Sequence, residues 1–125
     1  MEMITFSVIL RARADRLPQT IEALQSLALG ARLTTGCLGA WLLSETDNLA
    51  YLHYVERWAT ESYLRAEINS TRFGQLIQVL ETSVDTPIIE FLSITKVRGV
   101  DFIRKARRSQ VGSAKPKQND PKTSC

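Results

Sequence analysis

The sequence predicts an α+β fold whose elements run in the order β-α-β-β-α-β. Three patterns predict it. Apolar residues alternate with period two near the N-terminus and again in three later stretches. Between them lie two segments with apolar residues at helical spacing. A short polar turn joins the second and third alternating stretches, which makes them an antiparallel hairpin. This is the ferredoxin-like arrangement, a four-stranded antiparallel sheet with both helices on one face.

The first strand runs from Met3 to Arg13, with Ile4, Phe6, Val8 and Leu10 on one face and Met3, Thr5, Ser7 and Ile9 on the other. Asp15 and Pro18 mark a helix start, because proline fits the first turn, where its missing N–H is not needed. Leu17, Ile21, Leu24, Leu27, Ala28 and Ala31 then face a core, and the helix ends near Leu33. Thr35-Gly36 breaks the pattern. Cys37–Ser44 and Ala50–Ala59 are the hairpin strands, joined through Thr46-Asp47-Asn48. Thr60 is suited to cap the next helix, with Glu61 in its first turn, where the helix dipole favours an acid.

That helix turns Tyr63, Leu64 and Ile68 inward and breaks at Asn69-Ser70-Thr71. Ser70 caps a second segment that carries Phe73, Leu76, Ile77 and Leu80. Pro87 opens the fourth strand, which continues through Val97 with Ile89, Phe91 and Val97 on one face and Ile88, Leu92 and Ile94 on the other. After Gly99, residues 100–108 form a short amphipathic helix. One domain is expected over residues 1–108, and residues 109–125 read as a disordered basic tail, since almost no apolar residue follows Ser109.

A chain of 125 residues can bury one real core without metal or disulfide support, and 44% hydrophobic with 23% charged residues is ordinary for a globular protein. No apolar run approaches the roughly 20 residues needed to cross a bilayer. Glu2 precedes a short segment that reads as a strand and not a leader, so no membrane partner and a cytoplasmic location are expected. Cys37 and Cys125 make no disulfide framework. With one histidine and no paired cysteines, no metal site is expected. Charge is uneven: residues 1–103 hold 9 Lys/Arg and 12 Asp/Glu, a net of −3, whereas residues 104–125 hold 7 Lys/Arg and 1 Asp, a net of +6. The basic balance belongs to the C-terminal end.

Two helices cover only one face of a four-stranded sheet, yet the other face is also apolar, with Met3, Ile9, Tyr51, Val55, Leu92 and Ile94. A patch of that size calls for a cover, and a second copy of the same sheet is the simplest one, so a symmetric homodimer through the sheet face is expected.

Tyr51–Leu64 concentrates aromatic residues in a chain that has only 7% of them. Strand alternation puts Tyr54, Glu56 and Trp58 on the helix-covered side, and Tyr51, His53, Val55 and Arg57 on the other. Trp58, Tyr54, Glu56 and Tyr63 are candidate ligand-binding residues, Trp58 as a pocket wall that stacks on a planar molecule. The competing role of Trp58 is core packing beneath the helix. A buried Glu56 needs a partner, for which Arg11, Arg32 and Arg72 are candidates. His53, the only histidine, is a candidate for proton transfer or for a structural hydrogen bond. Trp41 shares a strand face with Cys37 and Leu43, and interface packing suits it. Cys37 has no activating base near it in sequence and reads as an inert thiol.

Gly36-Cys37-Leu38 opening strand two, Tyr54-Val55-Glu56-Arg57-Trp58 ending strand three, and Leu64 with Ser70-Thr71-Arg72-Phe73 on the helix resemble the antibiotic biosynthesis monooxygenase (ABM) domain family of dimeric α/β-barrels. The resemblance spans roughly Ile4 to Val97. It implies two sheets packed face to face, with a small pocket between sheet and helices in each protomer. It also implies a small aromatic or quinone-like ligand and, in some members, monooxygenation without a cofactor; no cofactor is expected here. A related branch degrades haem with an Asn, Trp and His set. This chain carries Glu67 where members often carry a histidine, which argues against haem chemistry and leaves Glu67 as a candidate base if burial raises its pKa. The alternative is a non-catalytic ligand-binding or dimerisation module of the same fold.

The same element order also occurs in RNA-recognition domains, whose stacking aromatics Tyr51 and His53 could imitate. Strand three lacks their basic-glycine-aromatic signature and the domain is net acidic, so nucleic acid is not an expected partner.

Overall fold

The computed structural model describes residues 2–113. Four strands, β1 (Met3–Arg11), β2 (Cys37–Ser44), β3 (Tyr51–Trp58) and β4 (Ile88–Ile94), form one antiparallel sheet in the order β2-β3-β1-β4. A 3₁₀ turn (Ala14–Arg16) leads into α1 (Leu17–Arg32), with Pro18 in its first turn. α2 (Glu61–Ile68) and α3 (Thr71–Leu80) are separate helices. Thr60 Oγ1 accepts from the Tyr63 N–H at 3.3 Å, and Ser70 Oγ accepts from the Phe73 N–H at 3.1 Å. Both caps satisfy helix-end donors that otherwise have no partner. α4 (Val100–Ser113) runs past the expected end at Arg108, and the remainder of the expected tail lies outside the described residues. Among the described residues the chain divides into two units, one ending at Thr95 and one beginning at Lys96 that contains α4.

Antiparallel pairing fixes rows of side chains across the sheet. On the helix-covered face the rows are Cys37–Trp58–Ile4–Ser93, Ala40–Glu56–Phe6–Phe91 and Leu42–Tyr54–Val8–Ile89. The central two strands supply a dry layer of Ile4, Phe6, Val8, Leu10, Leu52, Tyr54 and Trp58, closed by Leu24, Leu27, Ala28 and Ala31 of α1, Leu64 of α2, and Phe73, Leu76 and Leu80 of α3. Removing that apolar surface from water is the main stabilising contribution to the fold. The opposite face carries the rows Gly39–Arg57–Thr5–Leu92, Trp41–Val55–Ser7–Glu90 and Leu43–His53–Ile9–Ile88, on the side away from α1, α2 and α3.

Three local expectations change. A register shift between Cys37 and Gly39 inserts a residue into β2. Cys37 therefore faces the core beside Trp58, while Trp41 and Leu43 face the open side; simple alternation had put all three together. Tyr63 is not an inward residue but 40% exposed, its ring lying against Gly36. Ile68 and Ile77 are likewise largely exposed, at the margins of their helices.

Candidate functional site

Two features occupy the space between the sheet and α2–α3. The first is a buried polar network. Glu56 is 1% exposed and accepts two hydrogen bonds from its own strand, from Tyr54 Oη to Oε2 at 2.7 Å and from Trp58 Nε1 to Oε1 at 3.1 Å. Residues 54, 56 and 58 share one face by the period-two rule, so the two aromatic donors reach the carboxylate from either side. The arginines proposed from sequence are not its partners. Arg11 pairs with Asp85, Arg32 Nε donates to the Ala40 carbonyl, and Arg72 binds Glu67.

Glu67 of α2 is 3% exposed and receives a two-pronged contact from the Arg72 guanidinium, Nη2 to Oε1 at 2.6 Å and Nε to Oε2 at 3.1 Å. The same Nη2 also donates to Thr34 Oγ1 at 2.6 Å. The Ser70 break between the helices lets Arg72 at the start of α3 reach back to Glu67 near the end of α2. Burial pushes the Glu56 carboxyl above the ordinary range, against the pull of the Tyr54 and Trp58 hydrogen bonds. Burial also drives the Tyr54 phenol upward, assisted by the neighbouring Glu56 charge, so it stays protonated and donates. The Arg72 guanidinium is raised by its hydrogen bond to Glu67. Cys37, half-buried next to this network, has its thiol pKa raised by desolvation, the condition of an unreactive cysteine.

The second feature is a cleft of about 280 Å³ between α2 and the β1–β4 edge. Ile4, Leu64, Ile68 and Phe91 form its apolar walls, Ser93 stands at one end, and Glu61 and Arg65 stand on its helix side. Its geometry follows from the sheet order. The helices cover β3 and β1 fully, whereas β4 is the edge strand, so Phe91 keeps 51% of its surface exposed even though it stacks at 5.0 Å on the buried Phe6. Arg65 and Glu61 pair one turn apart, with Nε to Oε2 at 2.7 Å.

The residues singled out from sequence are not on this cleft. Trp58, Tyr54 and Glu56 are enclosed and bonded to one another, one strand inward, with Ile4 standing between Trp58 and the cleft. Tyr63 lies at Gly36, and Glu67 is held by Arg72. His53 is on the open sheet face, with Nε2 3.2 Å from Glu45 Oε2. Sequence reasoning placed Ile4 and Leu64 in the core and Phe91 on its face correctly. It had no signal that these residues would border an opening, because the opening arises from how far α2 stands from an edge strand. A second, wider groove of about 560 Å³ lies between α1 and α3, floored by Ala23, Leu27 and Val79 and rimmed by Arg13, Arg16, Gln75 and Gln78. Among the described residues no group of three His, Cys, Asp or Glu side chains could hold a metal ion, and no helix is long and apolar enough to cross a membrane.

No model of a known protein family matches the chain, and no curated protein does. Solved structures do match. A protein from Caulobacter crescentus described as a "putative antibiotic biosynthesis monooxygenase" superposes with a TM-score of 0.68 at 18% identity, over 76% of this chain and 92% of its own. A protein of the same description from Nitrosomonas europaea gives 0.68 at 13% identity, over 78% and 94%. A Bacteroides thetaiotaomicron protein of unknown function, described as a possible oxidoreductase, gives 0.68 at 18% identity, over 74% and 98%. The chain thus shares the ABM-like, ferredoxin-like α+β fold with these proteins.

Proposed function

We propose that this protein is an ABM-type homodimer that binds a small aromatic, quinone-like molecule in the cleft between α2 and the β1–β4 edge. The observation that carries the reading is Phe91, a half-exposed aromatic ring set among Ile4, Leu64 and Ile68 beneath a helix. A flat apolar molecule laid against that ring would bury surface on both partners, and offset stacking adds about 1 kcal/mol. The volume lies just below the usual range for ligand pockets, which suits a molecule of one or two fused rings. Arg65 at the rim can donate to a quinone carbonyl or steady a phenolate, and Ser93 can donate or accept at the far end.

The sheet face supports the dimer. Trp41, Leu43, Ile88 and Leu92 are exposed there, in rows that run across all four strands. A second sheet would cover these apolar positions. The free thiol of Cys37 fits a reducing compartment, in keeping with a cytoplasmic location.

Cofactor-free monooxygenation at the same cleft is the second reading, favoured by the names of the similar structures and by the apolar walls. A bound phenolate could pass an electron to oxygen where water is excluded. Binding without chemistry is the primary reading, because Glu56 and Glu67 are both committed to internal partners and neither lines the cleft.

Calorimetric titration with a panel of naphthoquinones and naphthoquinols, combined with oxygen uptake, tests both readings. Phe91→Ala should weaken binding about tenfold, from lost stacking and lost apolar area. Trp58→Phe should lower stability while leaving affinity nearly unchanged. Absence of binding across the panel would end the proposal, and oxygen uptake above buffer would select the enzyme reading over the primary one.

A further inference from the structure

The unit that begins at residue 96 carries a surface of its own. Within α4, the 3.6-residue repeat sets Phe102, Ala106, Ile103 and Val100 around a little under half the circumference, all exposed. Arg107 falls within this side near one margin. Arg104, Arg108, Asp101 and Lys105 occupy the remainder. Arg104 is taken up by Asp101, with Nη1 3.1 Å from Oδ1, which neutralises the only acid of the helix. Lys105, Arg107 and Arg108 make no ion pair among the described residues. Arg98, just before the helix, lays its guanidinium 4.9 Å from the centre of the Phe102 ring.

We propose that α4 lies on an anionic lipid surface, with Val100, Phe102 and Ile103 seated among the headgroups and acyl boundary and Arg98, Lys105, Arg107 and Arg108 on lipid phosphates. The apolar arc is too short and too interrupted to cross a bilayer, and its mean hydropathy is low. An aromatic and two branched aliphatic residues bordered by cations are the pattern of a helix that rests in the interface plane. The long stems of Arg107 and Lys105 bury along the apolar side while their charged ends reach the headgroups. Lys115, Lys117 and Lys122 follow in sequence and add to the same charge. A nucleic acid would use the cations but would leave Val100 and Ile103 without a role. This inference departs from the expectation of no membrane partner, which rested on the lack of a segment long enough to span.

Co-sedimentation of the full chain with vesicles of phosphatidylcholine alone, or of equimolar phosphatidylcholine and phosphatidylglycerol, tests it. The chain should pellet with the anionic vesicles and stay in solution with the neutral ones. F102S/I103S and K105Q/R107Q/R108Q should each reduce partitioning by about tenfold or more, with far-UV circular dichroism checking that each variant keeps the α+β fold. Equal pelleting with neutral vesicles would overturn the proposal, as would no pelleting at all. Undiminished binding by F102S/I103S would also overturn it, by reducing the contact to adsorption of charge. Displacement from anionic vesicles by double-stranded RNA at equal phosphate concentration would instead assign the surface to nucleic acid.

Discussion

Glu56 is enclosed by apolar side chains, and its two hydrogen bonds come from groups that can only donate to it in this arrangement. Tyr54 and Trp58 therefore favour the ionised form, while burial, the larger influence, favours the protonated one and leaves the carboxyl pKa raised. With the folded pKa above the unfolded value near 4.5, the associated stability is complete below that value and is lost as pH rises through the folded pKa. As pH rises above the ordinary carboxylate range, the unfolding midpoint of the wild type should accordingly fall relative to that of Glu56→Gln, which has no charge to bury. Parallel pH profiles for the two proteins in thermal melts would show that the Glu56 carboxyl pKa is not raised by folding. The glutamine sets an NH2 group where one carboxylate oxygen stood, so one of the two aromatic donors loses the acceptor it faces, at a cost of about 1–3 kcal/mol. Alternation alone made it legible that residues 54, 56 and 58 share a face. That they satisfy one another was not legible, because an acid between two aromatic donors has no sequence signature distinct from an acid awaiting an arginine.

At the scale of elements, the start of β2 shows why strand patterns misread locally. Gly36 holds φ +90, a left-handed conformation that glycine adopts without a Cβ penalty, and its carbonyl accepts from the Ala59 N–H at 2.8 Å. The Tyr63 ring fills the space a side chain would need there. Tyr63 is thus drawn to the turn and away from the core position that its helical spacing suggested. Gly36→Ala meets both obstacles at once, and chemical denaturation should register a loss of about 2–3 kcal/mol. A loss below about half a kcal/mol would mean that the turn and the ring rearrange freely. The shift between Cys37 and Gly39 has the same local origin: Trp41 lies over Gly39, where a Cβ would stand 2.6 Å from its ring. Helix caps at Thr60 and Ser70, by contrast, were readable because capping is decided within four residues.

For the whole molecule, element order and sheet topology followed from periodicity, since β-α-β-β-α-β with one short hairpin leaves few alternatives. The cleft did not follow, because it depends on the distance between a helix and an edge strand distant in sequence. The uncovered face makes a prediction on its own. Light scattering should give a dimer at micromolar concentration, and Val55→Asp, placing a charge in the row Trp41–Val55–Ser7–Glu90, should shift it to monomer with the fold retained. A wild-type monomer would remove the need for a second sheet.

Nuclear magnetic resonance mapping of a naphthoquinone titration tests the central claim most directly. The proposed cleft predicts saturable shifts at Ile4, Leu64, Ile68, Phe91 and Ser93, with the residues rimming the α1–α3 groove unmoved. Saturable shifts centred on Arg16, Gln75 and Gln78, or none anywhere at ligand saturation of its solubility, would contradict it.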